Sequence, residues 1–187
     1  MVISATLDRG PVMIYSGQEL GEPGAGSEGF QVDDGRTTIF DYWGMPEHQK
    51  WMNGGRFNGD SLSAEQKQLR QFYADLLNLA AKNPALTQGG YFDLTAFNIG
   101  AGNFNNKVHA FVRFAGEERL LILTSFNAKD EAIKVQIPKD VISKLSLDPN
   151  GVYIARDLLW REAEVGFNKD FLFELKCKLK IFVRLIS

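Results

Sequence analysis

Val108-His-Ala-Phe-Val-Arg-Phe-Ala-Gly-Glu-Glu-Arg-Leu-Leu-Ile-Leu-Thr-Ser-Phe126 is the stretch that decides how this chain folds. In its first half Val108, Ala110, Val112 and Phe114 alternate with His109, Phe111 and Arg113. That is the two-residue period of a strand, whose side chains point to opposite faces in turn. Its second half, Arg119–Phe126, is almost continuously apolar, as a central strand reads. Downstream the same signature returns. Ile133, Val135 and Ile137 alternate with Lys134 and Gln136, and strands are expected over 151–158, 171–175 and 180–186. Upstream one more fits 90–97. Short strands at this spacing, with turn signals such as Asn150-Gly151 between them, predict an antiparallel sandwich or barrel.

Before residue 84 the period is different. Leu69, Phe72, Tyr73, Leu76, Leu77 and Ala80 recur at helical spacing and share one apolar face, so a helix is expected over 61–83. Ser63 and Gln66, three apart, have the form of a capping box. Asn83-Pro84 ends the helix, because the residue before proline disfavours helical dihedrals. Residues 1–60 read as one apolar strand, Pro11-Val-Met-Ile-Tyr15, followed by a long loop rich in Gly, Asp and Asn. Long loops in compact domains are often functional. The loop contains Gly24-Ala-Gly-Ser-Glu-Gly29, which matches the G-x-G-x-x-G spacing. A dinucleotide site needs those glycines at a strand-to-helix turn. Here Phe30–Trp43 has no helical period, so the run is read as loop.

Composition narrows the function classes. The chain has 187 residues and a formal net charge of −2, which argues against broad capture of nucleic acid. No apolar run approaches the roughly 20 residues of a membrane helix. One cysteine, Cys177, and two histidines, His48 and His109, supply neither a disulfide framework nor an obvious metal site. No metal and no cofactor is expected. Lys176, Lys178, Lys180 and Arg184 recur at even spacing and read as a solvated face of a strand pair that blunts a sheet edge. Cys177, between lysines but in register with Leu175 and Leu179, reads as a buried thiol. Trp160 is read as core or interface, and His109 as a satisfied strand residue.

The segment Gly10-Pro-Val-Met-Ile-Tyr-Ser-Gly-Gln-Glu19 resembles the eighth barrel strand of the α-amylase family of glycoside hydrolases. The likeness continues in order. Asp33-Asp-Gly-Arg36 and Thr37-Thr-Ile-Phe-Asp-Tyr-Trp43 resemble the loop after that strand. Leu69–Tyr73 through Asn83-Pro-Ala-Leu86 resembles the eighth helix and its exit, and Gly89-Gly-Tyr91 the entry to the family's C-terminal sandwich. The resemblance implies a mainly β chain: an antiparallel Greek-key β-sandwich over 89–187, preceded over 1–88 by a partial (β/α) barrel segment of one strand, one long loop and one helix. It further implies that the missing N-terminal barrel portion carries the catalytic carboxylates. Retaining glycosidases place two carboxyl groups about 5–5.5 Å apart around the scissile bond. No catalytic residue is carried over; Glu19 corresponds to a position that is usually structural.

By the same resemblance the parent enzyme acts on α-glucans, and the chain alone is expected to be inactive. Its partners are the α-glucan or oligosaccharide and the rest of the barrel, with no nucleic acid and no membrane. Self-association through the unpaired strand 11–15 is also expected, since an unpaired apolar strand invites pairing. Sugar contact is expected at Asp33, Asp34, Arg36, Tyr42, Trp43 and Trp51. Aromatic rings offer apolar faces with polar tips, and charged side chains can bind hydroxyls. Against this stand two other readings: the aromatics pack the loop, or the sandwich is a binding or supporting module.

Overall fold

A computed structural model describes residues 1–23, 45–128, 131–148, 150–151, 153–159, 164–167, 172–177 and 180–186, the last three segments as backbone. Two compact units emerge, Met1–Gly10 with Asn78–Ser187, and Pro11–Leu77.

The first unit is built on β-structure. Its sheet strands are β1 (Gly90–Asp93), β2 (Val108–Ala115), β3 (Glu118–Ser125), β4 (Glu131–Gln136), β5 (Tyr153–Asp157), β6 (Glu164–Phe167), β7 (Leu172–Cys177) and β8 (Lys180–Ile186). Six of them form one sheet in the order β1-β2-β3-β8-β5-β6, and β4 pairs with β7 in a second. Every pairing is antiparallel. The deciding stretch is the β2–β3 hairpin, in register from Val108 opposite Ser125 to Ala115 opposite Glu118. Its two-residue turn starts at Gly116, whose φ of 57° suits a residue without Cβ.

Val108, Ala110 and Val112 of β2, Leu121 and Leu123 of β3, and Ile133 and Val135 of β4 meet in one core. The helix α6 (Lys139–Lys144) adds Val141 and Ile142 to it. The alternate face of β2 and β3 is buried too, at Phe111, Arg113, Leu120 and Ile122. Burial on both faces explains the nearly continuous apolar run of β3.

Several expectations need correction. The strand over 90–97 stops at Asp93, and Thr95–Asn98 turns into a short helix, α5. Asp93 starts that turn by accepting the Thr95 N–H at 2.9 Å. Lys176 lies on β7, whereas Lys180 and Arg184 lie on β8. These two strands belong to different sheets, so they are no strand pair, and β8 is flanked by β3 and β5 rather than lying at an edge. Even spacing in sequence cannot register a change of sheet between two residues.

Two short helices flank the large sheet, α1 (Val2–Thr6) and α4 (Pro84–Thr87). Asn83 leaves the helical region with ψ 122° and its side chain accepts the Ala85 N–H, so Pro84 opens a new turn rather than ending all helix. Arg113, 1% exposed, joins these pieces. One terminal nitrogen donates to the carbonyls of Thr6 (3.0 Å) and Leu7 (2.9 Å), the other to Leu86 (3.1 Å) and Gly89 (3.3 Å). Helix C-terminal carbonyls lack intrahelical donors, and a cation there also complements the helix dipole.

In the second unit, α3 begins at Ala64 and runs on to Lys82. The capping box forms as read: Ser63 N–H donates to the Gln66 side chain at 3.0 Å, and Gln66 N–H to Ser63 Oγ at 3.2 Å. Of the apolar face, Tyr73 and Leu76 are fully buried, and Leu69, Phe72, Leu77 and Ala80 are half-buried. Pro11–Tyr15 is not a strand. It pairs with no strand among the described residues, although its exposure still alternates, with Met13 85% exposed. A strand is defined by a ladder, and apolar alternation alone does not supply the neighbour.

Candidate functional site

Within Pro11–Leu77 the described site residues come from three short pieces of chain and from α3 beside them. The first is the Tyr15–Glu22 turn. Gly17 (φ 76°) and Gly21 (φ 74°) bracket a single 3₁₀ turn, Gln18–Leu20. Gly17 cannot carry a side chain, since a Cβ there would lie 2.7 Å from Cβ of Glu22. The Gln18 side chain hydrogen-bonds the Tyr73 hydroxyl, whose pKa is raised by burial. Glu19 is half-buried in this turn.

The second piece is α2 (Pro46–Met52), with proline at its first turn. Glu22 caps it: one carboxylate oxygen accepts the N–H groups of Glu47 (3.0 Å) and His48 (2.9 Å). Burial raises the Glu22 pKa, against the lowering effect of those two hydrogen bonds. Glu47 goes the other way: a hydrogen bond from Lys50 at 2.7 Å holds its carboxyl below the usual range. Gln66 also donates to Glu47.

The third piece is the loop Asn53-Gly-Gly-Arg-Phe-Asn-Gly-Asp60. It folds back on the end of α2, with Phe57 N–H donating to the Met52 carbonyl and Gly59 N–H to that of Trp51. Asn53 and Phe57 take positive φ, as do Gly54, Gly55 and Gly59. The loop is tied internally by Asn53 to Asn58 at 2.8 Å, Asn58 to Asp60 at 2.6 Å and Ser61 to Asn53 at 2.7 Å. These bonds present Phe57, 55% exposed, edge-on to Trp51 with centroids 5.7 Å apart. The His48 ring lies 5.8 Å from the Trp51 ring, and the Arg70 guanidinium of α3 sits 5.8 Å from its centroid. Such a cation over an indole ring is attracted by the ring quadrupole. Nδ1 of His48 is buried with no hydrogen-bond partner among the described residues.

Chemically this is a half-exposed aromatic pair, Trp51 and Phe57, rimmed by amides and one carboxylate. It can stack an apolar face and hydrogen-bond hydroxyls. Among the described residues no group of three His, Cys, Asp or Glu side chains is arranged for a metal ion, and no helix is long and apolar enough to cross a membrane. Of the six expected sugar-contact residues, Trp51 is in this cluster. Asp33, Asp34, Arg36, Tyr42 and Trp43 lie outside the described residues, as do Gly24–Gly29 and Trp160. Phe57, Arg70 and the ring of His48 were not anticipated. For Phe57 the signal was the Asn/Gly spacing of residues 53–59, which favours left-handed positions and hence a tightly folded loop.

No family profile matches the chain and no curated protein does. Solved structures do. AmyP in complex with maltotriose superposes with a TM-score of 0.59 at 20% identity, over 98% of this chain and 33% of that one. The maltogenic α-amylase AmyB from Thermotoga neapolitana gives 0.60 at 8% identity, over 100% and 35%. The α-amylase of Geobacillus thermoleovorans, complexed with acarbose, gives 0.60 at 15%, over 100% and 32%. The chain spans about a third of the length of these structures. In fold, then, this chain is similar to about a third of each of these α-amylase structures, in line with the ordered resemblance from Gly10 to Tyr91.

Proposed function

We propose that the chain is the C-terminal part of an α-amylase-like retaining glycosidase acting on α-glucans. On this reading residues 1–88 complete the catalytic barrel with its last strand, loop and helix. Residues 89–187 form the antiparallel Greek-key β-sandwich that follows. Pro11–Tyr15, which has no ladder among the described residues, becomes a barrel strand when the preceding strands are present, and otherwise offers an edge for self-association. The catalytic carboxylates belong to those preceding strands, and this chain's own share is sugar contact. The observation that carries the reading is the similarity of fold over nearly the whole chain, with the motif order read from sequence beside it.

Trp51 supplies the stacking face at the loop, with Phe57 beside it and the Asn53–Asp60 side chains as hydroxyl partners. Asp33, Asp34, Arg36, Tyr42 and Trp43 of the preceding loop complete the surface in this proposal. The test is an assay of the purified chain on soluble starch, paired with gel-affinity electrophoresis in amylopectin. Retarded migration without release of reducing sugar is expected. Release at an enzyme-like rate would overturn the assignment of the carboxylates, and unretarded migration would overturn the assignment of sugar contact.

A further inference from the structure

Where α1 and α4 meet the large sheet there is a concave groove of about 440 Å³, lined by Asp8, Arg9, Gln88, Gly89, Tyr91 and Arg113 among others. Its floor is fixed. The terminal nitrogens of Arg113 are committed to four backbone carbonyls. Gly89 packs so closely on the end of α4 that no side chain would fit there, an added Cβ meeting the Ala85 carbonyl oxygen. Tyr91 stands at the side, 43% exposed, with its ring 5.4 Å from that of Phe111. Phe111 is in turn 5.2 Å from the His109 ring, which Thr95 holds at 2.8 Å. The ring is thus oriented before any ligand arrives, which lowers the entropy lost on binding.

The polar side chains of the groove are in reserve. Among the described residues the Tyr91 hydroxyl, the Gln88 amide and the Arg9 guanidinium make no hydrogen bond. Asp8 accepts the backbone N–H of Arg9 at 2.7 Å and is otherwise exposed. We propose that this groove is a second sugar-binding site, in which a neutral pyranose ring stacks on Tyr91 and its hydroxyls bond Asp8, Gln88 and Arg9. Donor supply argues against an anion: Arg9 is offset by Asp8, and the buried Arg113 cation has its terminal N–H groups committed to carbonyls. Function groups decide against an apolar ligand, which would strip water from a carboxylate, an amide and a guanidinium with nothing in return. Sugar hydroxyls both donate and accept, and Asp8, Arg9, Gln88 and Tyr91 offer acceptor, donor and mixed partners.

That the sugar is an α-glucan rests on the function proposed above. The experiment is calorimetric titration of the full chain with maltoheptaose and, in parallel, cellohexaose, using wild type, Tyr91→Ala, Gln88→Ala and Trp51→Ala. Both groove side chains are exposed. The expected result is a binding step about tenfold weaker in Tyr91→Ala, also weakened in Gln88→Ala, and retained in Trp51→Ala. A Tyr91-dependent step with cellohexaose and none with maltoheptaose would uphold the groove and overturn the α-glucan reading. Binding lost in Trp51→Ala but unchanged in both groove variants would overturn the groove and leave that reading standing. No binding of either sugar would overturn the groove as well.

Discussion

Arg113→Met tests the argument about how the N-terminal segment is held. The side chain is unbranched and apolar, shorter by the guanidinium end, and removes every donor from a site that is 1% exposed. Four carbonyls, those of Thr6, Leu7, Leu86 and Gly89, lose their partner. Hydrogen bonds to a charged group are worth about 1.5–3 kcal/mol each, so the gross loss is about 6–12 kcal/mol. The guanidinium carried a desolvation penalty of several kcal/mol, which the variant avoids. Burial is indeed the main cause that lowers the Arg113 pKa, though the group stays protonated. The net expectation is a loss of about 3–5 kcal/mol, read from the urea midpoint. Arg113→Lys should recover little of it, because an ammonium is a point donor and cannot reach two pairs of carbonyls at once. Hydrogen exchange adds a local readout. The Ala5 and Leu7 amides, which bond Met1 and Ile3, should lose protection more than those of β3. A midpoint shift below about 1 kcal/mol, with Ala5 and Leu7 still protected, would refute the reasoning.

Three further outcomes follow from single contacts. Ser63→Ala breaks the reciprocal pair with Gln66 and should cost about 0.5–2 kcal/mol in a thermal melt followed by circular dichroism. Gly89→Ala should cost more than about 3 kcal/mol, since its Cβ would meet two backbone oxygens, of Ala85 at 2.2 Å and Phe114 at 2.6 Å; Gly54→Ala, with nothing within 4 Å of the added atom, should pay mainly for its positive φ. Glu47 has its pKa lowered in the folded state, first by Lys50, so the unfolded chain binds its proton at higher pH. The stability it contributes is present above the ordinary glutamate range and is lost as pH falls through the folded value. Glu47→Gln should therefore flatten the acid limb of a stability–pH profile, and an unchanged limb would contradict the cause assigned to the shift.

The strands were the most legible part of this sequence, and β8 is the example: the expected span 180–186 is the strand Lys180–Ile186. β2 was legible as a strand but not in its environment. Arg113 falls in the apolar alternation of Phe111, and nothing local to it says that four carbonyls from α1, α4 and the turn before β1 converge there. Charged residues are seldom fully buried without partners, and these partners are backbone groups up to 107 residues away. The Thr95–Asn98 turn was hidden because Phe92, Leu94 and Phe97 look like continued strand, while the Asp93 side chain decides otherwise through one short hydrogen bond. Pro11–Tyr15 shows the converse: an apolar run that reads as a strand has no ladder among the described residues.

For the candidate site, Trp51 was visible as an aromatic but read as loop, whereas it lies in the last turn of α2, a helix the glycine-rich surroundings concealed; Phe57 became its neighbour only through the left-handed turns at Asn53, Gly54 and Gly55. Arg70 reaches the same ring from α3 and carried no sequence signal beyond its charge.

The central claim is that this chain contributes α-glucan contact to an amylase-like enzyme, and Trp51 is where it is most exposed to test. The decisive measurement is the quenching of tryptophan fluorescence by maltoheptaose in wild type, Trp51→Phe and Trp51→Ala. The account predicts saturable quenching in wild type, partial affinity with the phenyl ring, and affinity about tenfold weaker with alanine. Unaltered affinity in Trp51→Ala, or no saturation in wild type, would contradict it.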